Sequence, residues 1–538
     1  MLALIATAVA GLAPPDVLVL YSSEDVVALE VARAYAASRE LEDRQLCAVG
    51  EGLDPSAASV SWEDFVSGIR DPFETCLAAQ PDPDDIDVLV LVRGLPYRVT
   101  LPTFVASLEA VLQVGHVQSF GEELAGQGQA ANYQGTSYAS ISNPTFIGDW
   151  DGALAQFDVG RSYREIYTAS LTLVNEESWP VGFTRAEAGR ADVWNFNGEL
   201  FLVSRLDGFD HDDALSLVER GLSADETFPT AEILCMYGAD EARGARDDEC
   251  EFVTRMLSEE GFEATWLDTF DSALEGHEVA AYFTGAASLT GAIDGQTYAP
   301  GAIVDNVTSY GAHPNNFACS DEGDCPESEQ QTSIARFVRA GATGVHGTVA
   351  EPLNNVFPHA SALLLYSHGY TLGESLLFSQ PATYWQNLLL GDPLTVPYGE
   401  RPTVSMSEAG GVVTVVGEHP DGISGLTVYR DGVRITEGDG ETVEVELDES
   451  IGTEVELYAV ARSGPVEVGT TDWPAGVVTA NPEIAGWSSA VVVVSEVSDT
   501  GDTGEEPGPP PEDCEGCSAT GASFSWLGLL LLVRRRRR

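Results

Sequence analysis

The sequence contains no lysine: all 26 basic residues are arginine, against 85 acidic ones, for a formal net charge of −59 over 538 residues. That imbalance excludes several chemistries. Schiff-base catalysis needs a lysine amine, and a phosphate-binding P-loop needs its lysine on the β- and γ-phosphates. Nucleic acid is excluded as a partner, because affinity for a phosphate backbone comes from a basic surface. Metal and hydrolase signatures are missing too. No CxxC…CxxC pair suggests structural zinc, and no GxSxG marks a nucleophile elbow. His277-Glu278 opens a zincin-like HE, but the second histidine would fall at 281, which is Ala. The acidic stretches 82–87 and 207–213 lack EF-hand spacing. They suggest solvated loops with at most adventitious Ca²⁺, and no cofactor is expected.

What is present is an ordinary globular share of apolar residues, 44%, in a chain long enough for two or three domains. The acidity suits solubility in a salty or cation-rich exterior. Residues 1–13 form an apolar run (LALIATAVAGLA) ahead of Pro14-Pro15, which suggests a secretion leader cleaved near Ala10 or Ala13. Six body cysteines fall in sequence-near pairs, Cys47 with Cys76, Cys235 with Cys250, and Cys319 with Cys325. In an oxidising compartment these can close three short loops, although spacing alone leaves the connectivity open.

Four further segments follow the leader. Residues 14–398 alternate continuous apolar runs with helical spacing, as at Val17 to Tyr21, Val26 to Arg39 and Asp87 to Val92. That pattern implies an α/β layer structure around a mostly parallel sheet covered on both faces, with a less regular insertion over about 100–195. Residues 399–497 carry short alternating runs and the hairpin signal Asp431-Gly432. A small all-β sandwich of immunoglobulin or fibronectin type is expected there. Residues 498–513 are acidic and rich in Pro and Gly, an extended linker. Residues 514–538 hold Cys514-Glu-Gly-Cys517, the apolar run Trp526 to Val533 and five terminal arginines. The apolar part is shorter than the ~20 residues that span a bilayer, and the arginines suit retention on the cytoplasmic side during export. The tail resembles the C-terminal sorting tags of myxobacteria. That resemblance implies processing at Cys514 or Cys517, export and sorting machinery as partners, membrane contact through the tag, and a cell-surface or outer-membrane location.

Residues 17–23 (VLVLYSS), 89–99 (LVLVRGLPYRV), 202–208 (LVSRLDG), 281–291 (AYFTGAASLTG), 299–312 (APGAIVDNVTSYGA), 339–353 (RAGATGVHGTVAEPL) and 388–394 (LLLGDPL) together resemble an uncharacterised exported bacterial family. More distantly they resemble gingipain-type and other caspase-like cysteine peptidases. The resemblance implies a caspase-like sheet, with a histidine after one central strand and a cysteine after the next. Here those strands run into Thr284-Gly285 and into Thr308-Ser309, so both dyad positions depart from the pattern. A hydroxyl has a far higher pKa than a thiol and needs a strong adjacent base.

Two readings follow. The preferred one is an exported, surface-anchored, non-peptidase protein that binds peptide or glycan, or serves as structure. The alternative is an exported Ser/Thr-dependent hydrolase or peptidase, with Ser309 or Thr308 as nucleophile and His359 with Glu351 as base and orienter. A second polar set, Arg93, Arg205 and Asp207, follows other strands, where open α/β sheets bind ligands. The plainer expectation is that Arg205, Asp207 and Asp392 pair or cap turns, that His359 begins a helix, and that His346 and His368 pack in the core.

Overall fold

The computed structural model describes residues 11–101, 105–115, 131–133, 136–138, 141–142, 201–289, 291–317, 331–352, 354–383, 385–464, 466–467, 480–481 and 483–496. Residues 1–10, most of the insertion, Cys319, Cys325, the linker and the terminal segment with Cys514 and Cys517 lie outside the described residues.

Ten strands form one large mixed sheet. They are β1 (Val17–Ser22), β2 (Leu46–Val49), β3 (Val88–Val92), β4 (Leu202–Leu206), β5 (Glu232–Met236), β6 (Ala264–Leu267), β7 (Glu278–Thr284), β8 (Thr297–Asn306), β9 (Gly344–Thr348) and β10 (Asn387–Leu390). The order across the sheet is β6-β5-β7-β8-β9-β10-β4-β3-β1-β2. Every pairing is parallel except β9 with β10. The sheet is therefore two parallel halves running in opposite directions. The carboxyl ends of β3 and β4 lie at one edge, and those of β7, β8 and β9 at the other. β3, β4, β9 and β10 are buried along their whole length, as expected of strands covered by helices on both faces.

Helices α1 (Val26–Arg39), α2 (Asp71–Ala78), α3 (Leu108–Gly115), α4 (His211–Ala224), α5 (Asp247–Glu260), α6 (Ile334–Ala340), α7 (Ser361–Ser367) and α8 (Leu372–Phe378) provide those layers. Their starts follow local chemistry. Asp25, Asp210, Ser333 and Thr371 each accept a hydrogen bond from a first-turn backbone N–H, satisfying a donor that the helix leaves open. Ser61 likewise accepts from the Asp64 N–H, but the helix it starts, Trp62–Phe65, lasts one turn. A π-helical stretch then leads into α2, which has Pro72 in its first turn.

Two further sheets make the carboxyl-terminal sandwich. One has three strands, β11 (Thr403–Ala409), β12 (Val412–Glu418) and β15 (Thr442–Glu446); the other has four, β13 (Ile423–Arg430), β14 (Val433–Gly438), β16 (Glu454–Ser463) and β17 (Ala485–Val493). Alternate residues of β12 and the first part of β16 point inward, burying Val413, Val415, Val455 and Leu457 between the sheets. Asp431 and Gly432 both take positive φ, +50° and +70°, as the tight turn between β13 and β14 requires.

The sandwich packs directly on the α/β body. Arg401 donates to Asp225 after α4 and to the carbonyls of Leu394 and Ala485, and its guanidinium lies 4.5 Å from the centroid of the Trp487 ring. Arg434 pairs with Asp85, and Arg44 donates to the Asp431 carbonyl. The packed body begins before residue 14: Ala13 is fully buried against Tyr429, Val460 and Ala485, and its N–H donates to Asp16. The folded unit thus includes Gly11 to Ala13.

Of the three cysteine pairs, Cys47 on β2 and Cys76 in α2 are disulfide-bonded. The expected Cys235–Cys250 bridge is not closed: both are free thiols, buried in the main core between β5 and α5.

Two predictions follow. Cys47–Cys76 closes a sequence separation of 29 residues, for which loop-closure entropy gives about 3.5 kcal/mol. The Cys47→Ala/Cys76→Ala variant should lose roughly that much in urea unfolding. The second concerns Asp225. Burial pushes its carboxyl up, but the Arg401 and Arg39 guanidiniums outweigh burial and hold it below the usual carboxylate range. A carboxyl that titrates lower folded than unfolded adds stability above its unfolded pKa, lost as pH falls through the depressed folded value. Melting temperatures measured from pH 7 to pH 3 should therefore drop less steeply for Asp225→Asn than for the natural chain.

Candidate functional site

A cleft of about 230 Å³ opens beside the carboxyl ends of β8 and β9. Three segments line it: Ala242 and Arg243 after β5, Val307 to Ser309 after β8, and Glu351, Pro352, Asn354 and Phe357 after β9. Val307 and Phe357 are buried apolar residues, while Ser309, Arg243 and Glu351 reach solvent. The Ser309 hydroxyl donates to Glu351 Oε1 at 2.8 Å, and the Thr308 hydroxyl donates to Gln331 Oε1. Asn354 Nδ2 donates to the Ala242 carbonyl at 3.0 Å, tying one wall to the opposite one.

Beneath the cleft sits a buried ionic network that sequence reasoning missed. Arg246 pairs with the Asp305 carboxylate and donates to the carbonyls of Thr284, Asp305 and Pro358 at 3.0, 2.9 and 2.8 Å. Its guanidinium also lies 4.5 Å from the centroid of the Phe283 ring. Burial lowers the guanidinium's pKa, and the Asp305 carboxylate more than restores it, so the cation is secure. Asp305 Oδ1 lies 2.7 Å from His346 Nδ1, and His346 Nε2 lies 3.2 Å from Asn387 Oδ1. His346 is a core histidine, as its apolar strand suggests, yet it is not merely packed: it is the middle of this polar chain.

Residues 237–246 also cover the end of β7. Ala239 N–H donates to the Gly285 carbonyl at 2.7 Å, and a Cβ built on Gly285 would collide with the Arg243 carbonyl. Thr284 is consequently enclosed at 3% exposure, its hydroxyl buried without a hydrogen-bond partner, and it does not line the cleft. Of the two positions, only Thr308-Ser309 lines the cleft, and there Ser309 reaches solvent while Thr308 is buried.

The proposed catalytic set is divided. Ser309, Thr308 and Glu351 share the cleft, whereas His359 is absent from its lining and forms an ion pair with Glu249 of α5, Nδ1 to Oε1 2.9 Å. His359 precedes α7, as the plainer expectation had it, and His368 pairs with Glu260.

Arg93, Arg205 and Asp207 belong to the opposite edge of the sheet. Arg205 is fully buried and donates to Glu109 at 2.5 Å and to the carbonyls of Leu95 and Pro96 at 2.9 Å. Asp207 lies 3.6 Å from Arg205 and accepts from the Tyr97 hydroxyl. Burial pushes the Asp207 and Glu109 carboxyls above their usual range despite these partners. Arg205 and Asp207 hold turns together, whereas Arg93 buries its Nε and one amino group without a hydrogen-bond partner among the described residues. Among the described residues no cluster of three or more His, Cys, Asp or Glu is arranged to hold a metal ion, and the acidic stretches 82–87 and 207–213 contribute none.

With this geometry in view, the comparisons add a distant likeness. Among solved structures the chain is similar to gingipain R, an Arg-specific cysteine proteinase, at 11% identity and a TM-score of 0.41, over 89% of this chain and 98% of that one. It also aligns with the spore cortex lytic enzyme SleM of Clostridium perfringens at 9% identity and a TM-score of 0.15, over 54% of this chain and 78% of that one. No family model and no curated protein matches it. The ten-stranded, mostly parallel sheet is consistent with a caspase-like fold. At these similarities no activity transfers to this chain.

The Arg246–Asp305 pair yields a test. Removing one partner of a buried ion pair leaves an uncompensated charge and costs about 3–5 kcal/mol. Arg246→Met should destabilise the fold by that order in denaturant titrations. Arg246→Met/Asp305→Asn should recover part of the loss, and an equal or greater loss in the double variant would contradict the ionic assignment.

Proposed function

We propose that this chain is an exported, surface-held binding protein that receives peptide-derived material in the Ser309 cleft without cleaving it. On this reading the α/β body is a caspase-like frame and the sandwich an immunoglobulin- or fibronectin-like mount. The leader and the terminal tag, with processing at Cys514 or Cys517, place the protein on the cell surface. The observation that carries the binding reading is the partner of the cleft hydroxyl. Ser309 donates to a carboxylate, Glu351, and among the described residues no imidazole or thiol lines the cleft. A carboxylate is a much weaker base than imidazole toward a hydroxyl, so this pair is poorly matched to nucleophilic attack near neutral pH. The enclosure of Thr284 by residues 237–246 removes a second catalytic position from reach.

The hydrolase reading rests on the same hydrogen bond. A serine held at 2.8 Å by a glutamate in an open cleft is the minimum arrangement for a carboxylate-assisted nucleophile. One experiment separates the two. A broad peptide library, together with its constituent free amino acids, is incubated with the full chain and with Ser309→Ala, and both retained ligands and cleavage products are measured. Retention without new termini is expected. Turnover that disappears in Ser309→Ala would overturn the binding reading in favour of the hydrolase. Protease shaving of intact cells tests location: the body should be released from the outside, and complete protection would count against surface display.

A further inference from the structure

The cleft's two charged walls go further than its missing dyad. Glu351 uses Oε1 to accept from Ser309, and its Oε2 has no hydrogen-bond partner among the described residues. Arg243 gives one amino group to Asp240 at 2.6 Å and its Nε is buried, so among the described residues its second amino group is the donor left for a ligand. An anion and a cation with unused hydrogen-bonding capacity thus line one cavity, over a floor formed by Val307 and Phe357.

We infer that, within the binding reading above, the ligand is a single free α-amino acid with an apolar side chain. Three features of the site select it. Its α-ammonium is a charge-assisted donor for Glu351 and Ser309, and its α-carboxylate is a charged acceptor for the amino group that Arg243 leaves open. An apolar side chain completes the fit by covering Val307 and Phe357, where a polar one would lose hydration without a partner. Size sets the limit. About 230 Å³ falls below the ~300–1,000 Å³ of sites that take drug-sized ligands, which suits one residue better than an extended chain. The Asn354–Ala242 hydrogen bond holds the two walls at fixed separation, so the spacing of the charges is set before the ligand arrives.

Calorimetric titration of the full chain with L-leucine, N-acetyl-L-leucine, L-leucinamide and doubly blocked N-acetyl-leucine methylamide tests this. Leucine should bind, and each single block should weaken binding by about tenfold or more, the worth of one charge-assisted hydrogen bond. The variants assign the ends. Glu351→Gln should stop distinguishing leucine from N-acetyl-leucine while still distinguishing it from leucinamide, and Arg243→Gln should do the reverse. This exchange of selectivity would not arise from a loss of folding. Blocked leucine binding as tightly as leucine overturns the inference. Leucine failing to bind overturns it too, and the library result then decides the broader reading: retained peptides leave a peptide-binding protein, and no retention removes both.

Discussion

The guanidinium fork buried at a strand end is the interaction on which the α/β body depends. Arg39, Arg205 and Arg246 are almost wholly excluded from solvent, and each is paired with a carboxylate from a distant part of the chain: Arg39 with Asp225 and Asp392, Arg205 with Glu109, Arg246 with Asp305. Taking such charges out of water costs several kcal/mol per ion, which is offset only where every donor direction is used. Arg205 and Arg246 come close to that, each adding two or more backbone carbonyls to its carboxylate. A lysine ammonium, a compact and strongly hydrated charge, could not bridge three fixed acceptors in one plane. The absence of lysine, which at first only excluded chemistries, therefore coincides with a structural need for arginine.

The forks also determine where the molecule is open. Because the sheet's two halves run in opposite directions, there are two edges where carboxyl ends of strands gather and where a ligand would ordinarily enter. Arg205, with Glu109, Tyr97 and Asp207, fills one edge. Arg246 and residues 237–246 close the end of β7 at the other. What remains is the cleft beside β8 and β9, displaced from the enclosed Thr284 and bounded by Arg243 of the same covering segment. The segment that encloses Thr284 supplies a wall of the remaining cleft.

The layers were legible in the sequence because they depend on local pattern. Continuous apolar runs at Val17 and Asp87 marked buried strands, and Asp431-Gly432 marked its hairpin. The reversal between β9 and β10 was not, because strand direction depends on the path of the chain between strands, and periodicity says nothing about that. The site was half legible. Strand ends located Ser309 and Glu351 together, but His359 was grouped with them on sequence proximity, whereas it turns to Glu249 of α5, which no spacing connects to it. Arg246 lies in a loop of ordinary composition and gave no signal. Asp305 and His346 did give one: each is an ionisable residue inside an otherwise apolar strand, and a polar group there needs a partner. Looking for two such residues on neighbouring strands would have anticipated the pair.

Charge at long range agrees with what the cleft shows at short range. At −59 the chain repels anions on approach, although salt near physiological strength confines that field to about 8–10 Å. Its arginines do little to soften the outer field, since several are taken up inside the body or at the junction with the sandwich, as Arg39, Arg205, Arg246, Arg401 and Arg434 are. An anionic ligand would meet repulsion before reaching Arg243, and a cationic one would be drawn to any of the many surface carboxylates as readily as to Glu351. A zwitterion carries no net charge, so the outer field neither repels nor diverts it. It feels strong forces only where opposite charges face one small cavity, and Glu351 and Arg243 line such a cavity here.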